Sequence, residues 1–96
     1  MGISNGTFSV TTSSQVLFPE RFGQRVDYVI TNLTAGATVF VCRGDTTATA
    51  NTGIPLAQNQ NVSESETEVG TCWQGQISVI GSAAATIAFT ERIRDA

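Results

Sequence analysis

The stretch Arg25-Val26-Asp27-Tyr28-Val29-Ile30-Thr31-Asn32-Leu33 decides the fold. Along it Val26, Tyr28 and Ile30 fall on one face of an extended chain and Asp27, Val29 and Thr31 on the other. That is the period of two that a half-buried strand requires. The turn residues 32–36 follow, and residues 38–43 alternate again, Val39 and Val41 opposing Phe40 and Cys42. Together the two runs read as a hairpin in which Gly36 takes a positive φ.

Working outward, shorter runs of the same character recur between clusters of Gly, Asn, Ser and Pro. Toward the N-terminus they are residues 7–10 and 15–18, the second stopped by Pro19 and followed by a connection at 19–24. Toward the C-terminus, residues 44–51 are small and polar and read as a loop. Gly53-Ile54-Pro55-Leu56 reads as a short edge strand, because Pro55 cannot donate to a ladder. Residues 61–69 set Val62, Glu64, Glu66 and Glu68 on one face, so that face is expected to see solvent or a partner. Residues 71–80 carry Trp73 and are interrupted by Gly75, which suggests a bulge or a close approach. Residues 85–90 supply the last strand with Ile87 and Phe89 inward, and the charged tail 91–96 either extends it or docks on a neighbour. No amphipathic helix of useful length is present in the pattern. The expected fold is all-β, an antiparallel β-sandwich or barrel, jelly-roll or immunoglobulin-like, of about six to eight strands. One domain is expected to span 1–96, with 1–10 and 91–96 as docking arms.

Composition agrees with that class. Val, Ile and Thr are abundant while Leu occurs only at Leu17, Leu33 and Leu56, which favours a pleated surface over a helix. At 96 residues the chain fits one core. Five Arg, no Lys and eight Asp/Glu give a net charge of -3. The Arg residues form no stripe that could follow a phosphate backbone and no cluster that could hold anionic lipid, so neither nucleic acid nor a membrane is an expected partner. The start MGISNGTFSV lacks the basic and apolar regions of a signal peptide, and no run approaches the roughly 20 apolar residues of a membrane span, so synthesis in a cytoplasm is expected. Gly6 occupies the position where N-myristoylation requires Ser or Thr.

The inventory for chemistry is thin. There is no His or Lys for acid-base work, and no Ser or Cys stands in a nucleophile elbow, so an enzyme is not expected. Cys42 and Cys72 are too few for a metal shell, and neither a metal nor another cofactor is expected. In a cytosolic chain they read as small apolar side chains ahead of a disulfide. The sequons at Asn5, Asn32 and Asn61 count as composition in a chain without a signal peptide. Arg43-Gly44-Asp45 matches the integrin tripeptide and falls where a strand hands over to a loop, but an ordinary turn is the plainer reading. Glu64, Glu66 and Glu68, about 7 Å apart along one face, suit rows of Arg or Lys on a partner or a share in holding Ca²⁺, although a straight ladder splays such ligands and a charged edge that resists unwanted pairing is the plainer reading. Trp73 and Tyr28 suggest an aromatic platform for a glycan, against ordinary packing between two sheets.

The order of features is familiar: Arg25 opening a strand that ends at Asn32, the Gly53-Ile54-Pro55-Leu56 element, residues 70–80, and a last strand closing on Glu91. Over residues 11–91 this resembles the small β-sandwich virion proteins of double-stranded DNA bacteriophages. Gln58-Asn59-Gln60-Asn61 departs from the Pro-Gly turn frequent in that family. The resemblance implies a capsid-bound decoration (cement), head-fibre or vertex protein on the outer capsid surface of the virion. Its partner would be the major capsid protein or another virion protein, and it would form a symmetric homo-oligomer. The alternative is a carbohydrate or host-surface binding module. Candidate contacts in either case are Arg43, Asp45, Glu64, Glu66, Glu68, Trp73, Arg92 and Arg94.

Overall fold

A computed structural model describes residues 2–44, 48–49, 51–68 and 72–94. They form eight strands: β1 (Gly2–Val10), β2 (Gln15–Phe18), β3 (Arg25–Asn32), β4 (Val39–Arg43), β5 (Ile54–Leu56), β6 (Asn61–Ser65), β7 (Ile77–Gly81) and β8 (Ala85–Ile93). The strands make two four-stranded sheets, ordered β1-β8-β3-β6 and β2-β7-β4-β5. Four antiparallel pairs underlie that order: β1 with β8, β2 with β7, β3 with β6 and β4 with β5. A chain doubled on itself in this way and wrapped into two facing sheets is a jelly roll, which decides against both a closed barrel and the immunoglobulin arrangement.

Alternation explains what lies between the sheets. Tyr28 and Ile30 of β3, Val39 and Val41 of β4, Ile77 and Val79 of β7 and Ile87 of β8 are all buried in one cluster, joined by Val10, Phe18 and Leu56. Phe89 packs against it as expected. Phe40 and Ile80 point the other way, yet they are buried too, because Ala48 lies over them. The Ala48 N–H is anchored to Ser14 Oγ at 2.9 Å. Ala48 therefore covers part of the outside of that sheet.

Several expectations are corrected. Residues 25–43 do not form a hairpin, because β3 and β4 belong to opposite sheets. Residues 33–38 instead arch between the sheets around buried Asn32, whose Nδ2 donates to the carbonyls of Ala37 (2.8 Å) and Leu56 (2.9 Å). Gly36 does take a positive φ, of 79°. β6 stops at Ser65, short of the expected 61–69. Of the expected 71–80 run, residues 72–76 lie outside the strands and 77–80 join the sheet within β7, while Thr71 lies outside the described residues. Gly75 is a close approach rather than a bulge: a Cβ there would stand 2.5 Å from the Trp73 indole. Of the two expected arms, Gly2–Val10 and residues 91–93 are strand, while Met1, Asp95 and Ala96 lie outside the described residues. Gly2–Val10 pairs along its whole length with β8, and β8 itself runs on to Ile93.

The β3–β8 ladder carries a bulge between Arg25 and Asp27. Simple alternation would set Arg25 outside with Asp27. The extra residue reverses it, and the Arg25 side chain enters the interior.

Candidate docking site

All charged residues lie in residues 20–27, 43–45, 64–68 and 91–95. Those described gather at the end where β2, β4, β6 and β8 finish and β3 and β7 begin. The opposite end, made by residues 11–14, 33–38, 57–60 and 82–84, carries no charge.

The charged end is built around Arg25, which is 0% exposed. Its Nε donates to Glu91 Oε2 at 2.8 Å. Its Nη1 donates to the carbonyls of Trp73 (2.7 Å) and Gly75 (3.0 Å), and its Nη2 to that of Pro19 (2.9 Å). The guanidinium also lies 5.5 Å from the Phe18 ring centroid and 5.8 Å from that of Tyr28. Arg21 grips the same carboxylate with two bonds, Nε to Oε2 at 3.0 Å and Nη2 to Oε1 at 2.6 Å. Burial raises the pKa of the Glu91 carboxyl, but the hydrogen bonds and charges of Arg21 and Arg25 outweigh it, and the net shift is downward. One carboxylate thus ties β8 to β3 and to the connection after β2.

That knot holds a turn with a costly residue at its tip. Gln24 N–H donates to the Arg21 carbonyl at 3.1 Å, and the two residues between, Phe22 and Gly23, have φ of 55° and 88°. Two successive positive φ values define a type I′ turn, whose first central position favours Asn or Gly. A Phe there costs on the order of 1–3 kcal/mol. Yet Phe22 is 80% exposed, so no packing offsets the cost. The turn is stiffly mounted: Arg21 N–H donates to the Gln74 carbonyl (2.8 Å), and Gln74 exchanges hydrogen bonds of 2.7 Å with the backbone of Arg25. Beside it, Arg94 donates to the Gly23 carbonyl (3.3 Å) and clasps Glu66 at 2.7 and 2.9 Å. Gln24 Oε1, Arg92 Nε and Arg94 Nε are buried without a partner among the described residues. The chemistry on offer is an aromatic knob on a rigid base with a polar rim, the make-up of an interface hot spot.

The residues singled out from sequence divide between this end's framework and its surface. Arg92 pairs with Asp27 at 2.8 Å and Arg94 with Glu66, both on the rim. Arg43 is exposed and lies 3.6 Å from Glu64, while Asp45 and hence the full tripeptide fall outside the described residues. The three glutamates do not make one open ladder. Glu64 turns in with Val62 and accepts from the Tyr28 hydroxyl and the Trp73 N–H, each at 3.1 Å. Glu66 is taken up by Arg94, and Glu68 is exposed. Trp73 packs against the core and its indole N–H donates to the Gln76 carbonyl at 3.2 Å, and Tyr28 is buried. These two rings do not form a surface platform. Burial, reinforced by the Glu64 charge, pushes the Tyr28 hydroxyl up to about 12.

Both cysteines are free thiols. Burial first and the charge of Glu64 second push the Cys72 thiol up to about 11, while half-exposed Cys42 rests near Thr52. At about pH 8 an aromatic disulfide reagent is therefore expected to titrate Cys42 in the native protein, Cys72 reacting only on unfolding. Equal, rapid reaction of both would refute this burial.

Sequence reasoning passed over Phe22, Arg25 and Glu91. The available signal for Phe22 was an apolar residue before Gly inside a connection, a position where type I′ turns prefer Asn. Among the described residues no cavity opens, and no cluster of three metal-ligating side chains occurs. No protein-family model, curated protein or solved structure matches the chain.

Proposed function

We propose that this jelly roll is a structural protein of a double-stranded DNA bacteriophage virion. It would sit on the outer capsid surface as a decoration (cement) or vertex protein, its charged end turned to the shell. The observation that carries the docking reading is Phe22, fully presented at a conformational cost by a turn that the Arg21–Glu91–Arg25 knot immobilises. Residues kept in strained conformations on rigid mounts are typical of sites where something else is bound. The phenyl ring would enter an apolar pocket on the major capsid protein, with the ion pairs of Arg92 and Arg94 forming the rim that excludes water and sets orientation. The jelly roll and the order of sequence features support the virion setting, although the fold also serves other roles. A net charge of -3 suits an outer position better than one facing DNA.

Phe22→Asn tests the docking reading because it moves stability and binding in opposite directions. Asn accepts the left-handed conformation, so the variant should gain about 1 kcal/mol and melt about 4–8 °C higher. On particles stripped of the protein, wild type should rebind to a constant copy number and the variant should bind at least about tenfold more weakly. Wild type that is absent from washed virions and does not rebind would sink the proposal. A Phe22→Asn variant that binds as well as wild type would remove the docking contact from it.

A further inference from the structure

Each sheet has two edges, and three of the four edge strands are protected. β5 has three residues with Pro55 at its centre, and β2 has four with a register shift near its end. β6 has five, with Glu64 among them. β1 is different. It has nine residues, Gly2-Ile3-Ser4-Asn5-Gly6-Thr7-Phe8-Ser9-Val10, with no charge and no Pro. Every second residue of such an edge turns its N–H and C=O away from the sheet, and an edge so long and bare is a template for another strand.

Side-chain burial does little to hold the first half of β1. Only Phe8 and Val10 reach the core, whereas Ser4 and Gly6, on the same face, are exposed, and Ile3 on the other face is 62% exposed. Ordering backbone costs about 1–2 kcal/mol per residue, so a strand wet on both faces gains from any further partner.

We infer that the partner is a second copy of this chain, paired antiparallel along β1 about a twofold axis through Gly6. Three observations select it. An antiparallel pairing sets the charged end of each copy beside the uncharged end of the other, where a parallel one would set like ends together. The register centred on Gly6 matches large against small: Phe8 stands opposite Ser4 of the second copy, and Ile3 opposite Ser9. Gly6 meets its own equivalent on the axis, so no side chains stand between the two backbones there. The two four-stranded sheets then continue into one of eight strands. This surface lies along the edge of the sandwich, apart from Phe22, and stands whether or not the virion reading does.

In that register Asn5 opposes Thr7 of the second copy, twice by symmetry, and the test uses this. Sedimentation equilibrium of the full chain should show a dimer. Asn5→Lys/Thr7→Lys and Asn5→Glu/Thr7→Glu, each placing like charges opposite one another, should each raise the dissociation constant by about tenfold or more, with the far-ultraviolet dichroism unchanged. Mixing the two variants should restore a dimer containing one of each. A monomeric wild type, a dimer that survives in both charged variants, or a mixture that stays monomeric would each overturn the inference. If one variant does not fold, the other paired with wild type in the same measurement still decides.

Discussion

Glu91→Gln is expected to lower the stability of this protein by about 3–5 kcal/mol, the cost of removing one member of a buried ion pair. A domain of this size has roughly 5–15 kcal/mol in all, so the loss is a large share. The amide keeps the shape of the carboxylate but cannot neutralise two guanidinium groups. Arg25, wholly buried, would be left with its charge uncompensated, and Arg21 would lose one member of its fork, where an amide NH2 would now face a guanidinium N–H. The same pair sets a dependence on pH. The folded-state pKa of Glu91 lies below the ordinary carboxylate value of about 4.3. Its stabilisation is therefore complete above that pH and is lost as pH falls through the folded value. Urea denaturation of wild type and variant, from about pH 7 to about pH 3, should show a gap that narrows in acid. A gap that stays constant would mean that the charge of Glu91 contributes nothing.

Asn32→Asp should cost a similar amount for an opposite reason. Asn32 is 0% exposed, and two of its side-chain bonds depend on the amide N–H groups. Nδ2 donates to the carbonyls of Ala37 and Leu56, and Oδ1 accepts from the Thr34 N–H at 2.9 Å. Its own carbonyl accepts from the Asn59 N–H at 2.6 Å. One residue thus joins the end of β3 to the arch and to the β5–β6 connection. A carboxylate in its place loses both donors and brings a buried negative charge against two carbonyl oxygens. The expected loss is about 3–5 kcal/mol near neutral pH. Protonation in acid restores one donor, so the variant should recover ground on wild type as pH falls. A change of less than about 1 kcal/mol at neutral pH would refute the role assigned to Nδ2.

Strand existence was legible because it rests on alternation, which β3, β4 and β8 display without ambiguity. Pairing was not. The run from Arg25 to Arg43 has the look of a hairpin, and only the third dimension reveals that Asn32 sends its amide across to Leu56 and separates the two strands into different sheets. The inward turn of Arg25 was not legible for a related reason: period two holds only while the ladder is unbroken, and a bulge leaves no mark on the pattern. The glutamates misled in the other direction. Three acidic residues at alternate positions look like a solvated face, but Glu64 shares its face with Val62, and Tyr28 and Trp73 supply the donors that allow it to turn inward. Of the candidate surface, Arg92 and Arg94 were found from charge alone. Phe22 was not, since its significance lies in a backbone conformation that composition does not express.

The position of β8 also governs how this molecule can be made. It lies between β1 and β3, so the last of the eight described strands is the one that completes the middle of its sheet. Until it emerges from the ribosome, β1 has no strand to pair with in its own sheet, and β3 is joined only to β6. A nascent chain therefore leaves β1 unpaired in its own sheet until β8 has been made. Non-local pairing of this kind folds slowly and leaves strands exposed to one another meanwhile. In a cell producing many copies at once, the absence of charge along β1 that suits a finished assembly is also the point at which unfinished chains would first stick together.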